Sequence, residues 1–303
     1  MGIISASRLR AAALAPFIIE VDTSKAGSAS DQFEFTGALG DYDVVAKQND
    51  TVVATFDNLS GEQTITLPSA GIYVLEVMPK ASNGFNRIRF NSSGDKLKPT
   101  DIKQWGSVAW SSFQRTFFGC SNMLTTATDR PNLSLVTDME EMFRSAASAN
   151  PDTSNWDVSS VTTMHSMFNR TNLANPDTSN WDVSSVTDML GMFYSASIAN
   201  PDTSNWDVSS VTNMGAMFYF APSANPDTSN WDVSNVTNMG NMFENSNLSV
   251  ENLTACYENW SQLTLKQNVE FGAGTIKYNA SGQAGRDILV NTYNWSITDG
   301  GPA

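Results

Sequence analysis

NWDVSSVT begins at Asn155, Asn180 and Asn205, and NWDVSNVT begins at Asn230. Trp156, Trp181, Trp206 and Trp231 are therefore spaced by 25 residues, and ANPDTSNWDVS is identical around all four. A fixed period of this length marks stacked repeats. In degraded form it reaches further. Val136, Met139, Met142 and Phe143 recur as Val161, Met164, Met167 and Phe168, and the same pattern continues to Val236, Met239, Met242 and Phe243. Trp105, Trp110, Phe113 and Phe117 read as a diverged first repeat, so the array runs from about Thr100 to Leu248.

Each repeat has two halves. Trp156 and Val158 stand two apart, as on one face of an extended segment. Val161, Met164, Met167 and Phe168 share a face at helical spacing, and Ser185 with Asp188 resembles a capping box. Strand, turn and helix within 25 residues predict a leucine-rich-repeat-like solenoid over residues 96–250. One unit cannot bury its apolar face alone, so the Trp, Val, Met and Phe columns are expected to be core ladders. Residues 251–303 lose the period and predict a C-terminal cap: helix Glu251–Trp260, strand Asn268–Tyr278, helix Gly285–Thr292 and strand Tyr293–Thr298.

Upstream the texture changes. Over residues 28–95, QFEFTG, YDVVAKQ, TVVATF, QTITLP, IYVLEVM and RIRF alternate with turn signals, which predicts a small antiparallel β-sandwich. The expected fold class is thus an α+β repeat protein, with a β-sandwich leading a leucine-rich-repeat-like solenoid. Residues 1–27 precede both. SRLRAAALAPFII imitates a signal peptide, but Pro16, Glu20 and the want of a small-residue cleavage site argue against one. The segment is read as a docking arm, with Ile3, Ile4, Arg8, Leu9 and Arg10 as its contact residues.

Charge excludes some partners. The 303-residue chain carries a formal −14, the wrong sign for nucleic acid or an anionic membrane surface. Residues 1–130 hold 13 acids and 12 bases, whereas residues 131–303 hold 18 and 5, so the acidity belongs to the repeats. Cys120 and Cys256 are too few for a disulfide framework and read as buried thiols. No apolar run is long enough to span a bilayer.

No catalytic constellation emerges. His165 is alone, and its column holds Glu140, Leu190, Gly215 and Gly240. Repeat carboxylates arrive as identical copies, while an acid/base pair needs two unlike environments. The chain is therefore expected not to be an enzyme. Asp157, Asp182, Asp207 and Asp232 should stack as a column, as should Asp152, Asp177, Asp202 and Asp227. Two readings answer their mutual repulsion: Asx-type turns in which each accepts backbone N–H groups, or Ca²⁺ held by the first column. Variable positions on a constant frame are the recognition candidates: Arg144, His165, Asn169, Tyr194, Tyr219 and Glu244. The alternative for them is drift of solvent-facing positions.

NWDVSSVTDMLGMF, FFGCSNM and NWSITDGG resemble the BspA-type leucine-rich-repeat surface proteins over residues 85–303. SAGIYVLEV, followed by RIRFNSSGDKLKPTDIKQWGSVAW, is similar to the immunoglobulin-like module of polycystic-kidney-disease type. MGIISASRLR resembles the opening of bacteriophage virion proteins that carry such repeats. These resemblances imply a non-enzymatic virion surface protein, a tail or fibre appendage or a capsid decoration. It would dock to other virion proteins through its N-terminus, adhere to a host-surface glycan or protein, and form a homo-oligomer. The alternative they leave open is a bacterial cell-surface adhesin.

Overall fold

The computed structural model describes residues 14–80 and 84–303. The docking residues expected at Ile3, Ile4, Arg8, Leu9 and Arg10 lie outside the described residues. In chain order the first elements are β1 (Phe17–Asp22), β2 (Gln32–Glu34), β3 (Asp41–Gln48), β4 (Thr51–Ser60), β5 (Thr64–Thr66), β6 (Ile72–Pro79), β7 (Pro99–Gln104) and β8 (Leu124–Thr125). Period-2 alternation sends Phe17, Ile19 and Val21 of β1, Tyr42, Val44 and Ala46 of β3, and Tyr73, Leu75 and Val77 of β6 into one core. Six of these strands form one sheet in the order β4-β3-β6-β1-β7-β8, antiparallel except for the parallel β7/β8 pair. β2 and β5 make a separate antiparallel pair. Phe35 links that pair to the large sheet, with its ring 5.1 Å from Phe33 and 5.3 Å from Tyr42.

The expected fold class is overturned here. In place of an α+β leucine-rich-repeat-like solenoid behind a β-sandwich, the chain is built on this mixed sheet. Only two short α-helices occur among the described residues, both beyond residue 249. β1 comes from the segment 1–27 expected to dock, and it sits inside the sheet between β6 and β7. The sheet also crosses residue 96: Asp101 pairs with Leu124, and its carboxylate accepts from Thr126 N at 2.9 Å and Thr126 Oγ1 at 2.6 Å.

A buried ion pair clamps the loop between β1 and β2. Asp95 and Lys98 are both fully buried, 3.4 Å apart. Asp95 accepts from Ser28 N, Ser28 Oγ and Glu34 N, and Lys98 donates to Ser28 Oγ and to the carbonyls of Ser28, Ala29 and Gln32. With every polar position answered, the desolvation of two charges is offset.

Beyond β8 the chain runs in successive 25-residue coils of turns, without a helix or a named strand until residue 250. The reason is visible in the backbone donors. Met164, Ser166, Phe168 and Arg170 donate N–H to Asp188, Leu190, Met192 and Tyr194 of the next coil, at 2.7–3.0 Å. The intervening Met167, Asn169 and Thr171 donate three residues back. An α-helix would satisfy every donor within one segment. Here alternate donors join one coil to the next. Left-handed residues enforce this at equivalent places: Glu141, Ser166, Gly191, Ala216 and Asn241, and again Ser145, Arg170, Ser195, Phe220 and Asn245. Such a φ costs a non-glycine residue roughly 1–2 kcal/mol and cannot recur inside a helix.

Packing fixes the register of the coils. Phe143, Phe168, Phe193, Phe218 and Phe243 stack at 5.5–5.7 Å, with interplanar angles of 4–9°. Trp181, Trp206 and Trp231 stack at 6.2–6.5 Å. Their indoles donate to the carbonyls of Thr153, Thr178 and Thr203 in the preceding coil, while those threonine hydroxyls donate to Asp177, Asp202 and Asp227 carbonyls in the following one. Asn150, Asn175 and Asn200 each accept, through their side-chain oxygens, from the N–H of the asparagine 25 residues on.

The last coil is closed by α1 (Val250–Trp260), β9 (Glu270–Gly272), α2 (Gln283–Tyr293) and β10 (Ser296–Thr298). Ser249 caps α1 by accepting from Asn252 N, and α1 buries Leu253, Cys256, Tyr257 and Trp260. β9 takes the place of a further coil: Met239 and Phe243 donate to the carbonyls of Glu270 and Gly272. Cys120 and Cys256 are both buried and free.

Candidate recognition surface

The coils place the residue after each core phenylalanine at different depths, and these five positions, with His165, are the recognition candidates. Arg144 is committed elsewhere: it pairs with Glu141 and lies 5.0 Å over the Phe118 ring. Arg115 reaches the same Glu141 and also Glu140, at 2.5 and 3.0 Å. Burial alone would raise the Glu141 carboxyl, but the two guanidiniums outweigh it and hold the group below the ordinary glutamate value. Asn169 is 9% exposed, with its amide turned to Ser166 Oγ. His165 is half-buried, its Nδ1 3.8 Å from Asp188. Glu244 is half-buried against Gly274.

Tyr194 and Tyr219 are brought together, their rings 5.2 Å apart and partly exposed. Two residues outside the candidate set join them. Phe220 is 48% exposed and meets Tyr219 edge-on at 4.5 Å, and the Arg170 guanidinium lies 5.9 Å over Tyr194. The result is a run of three aromatic rings with a cation at one end. Arg170 and Phe220 occupy the left-handed column with Ser145, Ser195 and Asn245. The signal for Phe220 was present in the sequence: it is the one large apolar side chain in a column that is otherwise polar. Arg170 makes no salt bridge among the described residues, so its charge stays available at the surface.

The aspartate columns are answered locally. Asp157 and Asp182 each accept from the backbone N–H and hydroxyl of the serine two residues on, at 3.3 and 2.7 Å for Ser159 and 3.1 and 2.6 Å for Ser184. Asp207 and Asp232 accept from Ser209 N and Ser234 N, each at 3.0 Å. The serine donors hold the Asp157 and Asp207 carboxyls below the ordinary aspartate value. Each Asp thus closes its own turn. Among the described residues no group of three or more His, Cys, Asp or Glu side chains is placed to hold a metal ion. No described helix is long and apolar enough to cross a membrane.

Comparison with curated proteins and with solved structures finds no match. Residues 88–198, 111–226 and 172–272 each match a family model described as Mycoplasma protein of unknown function, DUF285. The three overlapping matches run from the last part of the sheet region through the coils into the C-terminal cap. Together they take in more than half of the chain, and the protein belongs to the DUF285 family.

Proposed function

We propose that this chain is a non-enzymatic surface-recognition protein of a bacteriophage virion, serving particle structure and host adhesion, with the aromatic run Tyr194, Tyr219 and Phe220 as its contact face. The observation that carries the reading is that run itself. Phe220 leaves an apolar ring 48% exposed, beside a column of fully buried rings, Phe143, Phe168, Phe193, Phe218 and Phe243. Aromatic residues beside an arginine are the usual energetic centre of a protein contact, because large rigid rings lose little conformational entropy when covered. The stack supports such a face by holding each ring on a backbone bonded to the coils on both sides. The virion setting rests on the resemblance of the opening residues.

The test is immunogold labelling with antibodies raised against residues 150–245, on purified phage particles and on intact host cells. Gold on the particle, in fixed numbers at one place, supports the virion setting. Gold on uninfected cells and none on particles would move the protein to a bacterial cell surface, the BspA-type alternative.

A further inference from the structure

The tryptophan column breaks at one place. Twenty-five residues before Trp156 stands Pro131, not an indole. In the three regular contacts, the indole N–H reaches a threonine carbonyl 28 residues earlier. For Trp156 that position is Thr128, and the bond is not made: Trp156 Nε1 is buried without a partner. Trp105 instead meets Trp156 edge-on at 5.7 Å. Asn150 N and Arg130 still bond across these two coils, at 3.1 and 3.4 Å, but the indole bond is missing, and a groove of about 380 Å³ lies between them, lined by Thr128, Asp129, Arg130, Asp152 and Asn155. That size lies within the roughly 300–1,000 Å³ of small-molecule sites.

The polar groups of the walls are only partly used. Both Asp129 oxygens are fixed by the backbone N–H groups of Trp105 and Gly106, at 2.9 and 2.8 Å. Asp152 gives one oxygen to Ser154 and keeps the other uncommitted. Arg130 makes a single long hydrogen bond, 3.4 Å to the Asn155 carbonyl, and no salt bridge among the described residues. The groove thus offers a planar donor, a carboxylate acceptor, an amide and the Thr128 hydroxyl within one cleft. Neighbouring hydroxyl groups match this mixture, since each can donate to Asp152 and accept from Arg130. An anionic ligand would meet Asp129 and Asp152 against one guanidinium, in a repeat region already strongly acidic.

We propose that this groove is a binding site for a neutral saccharide, held by Arg130, Asp152, Asn155 and Thr128. The proposal rests on the recognition reading above and gives it a ligand class, but it uses residues separate from the tyrosine face. The experiment is saturation-transfer NMR on the full chain with methyl α-mannopyranoside, methyl β-galactopyranoside and methyl β-glucopyranoside, with glucuronate as the charged comparison. The expected result is transfer from at least one neutral glycoside. Affinity should fall about tenfold or more in Arg130→Ala, as for a lost charged hydrogen bond, and fall also in Asn155→Ala. Both side chains are exposed, so the thermal melt should be unchanged. Glu258→Gln, exposed on α1 and outside both the groove and the tyrosine face, should leave the transfer intact. Absence of transfer from all three glycosides, equal transfer in Arg130→Ala, or tighter binding of glucuronate would each overturn the proposal. Loss of cell adhesion in a Tyr219 variant, together with no glycoside binding, would leave the recognition reading standing and remove only the groove.

Discussion

Phe193→Ala is the sharpest perturbation of the stack. Phe193 is fully buried between Phe168 at 5.7 Å and Phe218 at 5.5 Å, nearly parallel to both. Returning most of its side chain's apolar burial costs roughly 1.5–3 kcal/mol. Each lost ring contact adds about 0.5–1.5 kcal/mol. The sum, about 4 kcal/mol, falls within the range of about 3–5 kcal/mol for buried Phe→Ala changes. Phe243→Ala is the companion variant. It keeps two ring neighbours as well, Phe218 in parallel and Phe271 edge-on at 6.2 Å, so a similar loss of about 4 kcal/mol is expected. Urea denaturation followed by tryptophan fluorescence reads both, since Trp181, Trp206 and Trp231 stand in the same coils. A loss below about 1 kcal/mol for Phe193→Ala would refute a packed phenylalanine column, because a ring without close neighbours leaves little to lose.

Further outcomes follow from single contacts. Lys98→Met should destabilise the chain by about 3–5 kcal/mol in the same urea assay, because Asp95 is left as an uncompensated buried charge; Lys98→Met together with Asp95→Leu should recover much of that loss. Trp206→Phe keeps a ring in the column but removes the donor to Thr178, and should cost roughly 0.5–1.5 kcal/mol, read as a lower urea midpoint. Glu141 has a carboxyl depressed below its ordinary value of 4.5, so its contribution is present above that value and is lost as pH falls through the depressed one; urea midpoints measured between pH 6 and pH 3 should fall less steeply in Glu141→Gln than in the parent. Far-UV circular dichroism should show little helix, since among the described residues the α-helices are α1 and α2, each of 11 residues.

Composition and period made parts of this molecule legible before any coordinates. The identity of the buried columns follows from Trp156, Val158, Met164 and Phe168 recurring every 25 residues, because whatever the backbone does, equivalent apolar positions must meet. Their backbone conformation did not follow. The 3, 3 and 1 spacing of Val161, Met164, Met167 and Phe168 suits a helix and also suits two tight turns. What separates the two is a left-handed φ at Glu141, Ser166, Gly191, Ala216 and Asn241, a column in which Gly191 and Asn241 carry a turn signal but Glu141 and Ala216 do not, so the column as a whole does not announce it. The six-stranded sheet was misjudged for a different reason. β1 lies in a stretch whose arginine-then-apolar pattern resembled a leader, and β7 and β8 are short segments whose pairing spans more than 20 residues. For the recognition face, Tyr194 and Tyr219 were readable as variable positions on a constant frame. Arg144 and Asn169 shared that pattern but are drawn into Glu141 and Ser166, contacts set by three-residue turns that the column alignment does not show.

The most direct test of the account is adhesion by the tyrosine face. Fluorescently labelled full-length chain is titrated onto intact host cells and read by flow cytometry, for the parent and for the triple variant Tyr194→Ser, Tyr219→Ser, Phe220→Ser. The account predicts saturable binding by the parent and a loss of about 30-fold or more in the variant, as for removal of a contact centre worth above about 2 kcal/mol, with the urea midpoint little changed. Equal binding by the two proteins would contradict it and move the contact face elsewhere on the chain.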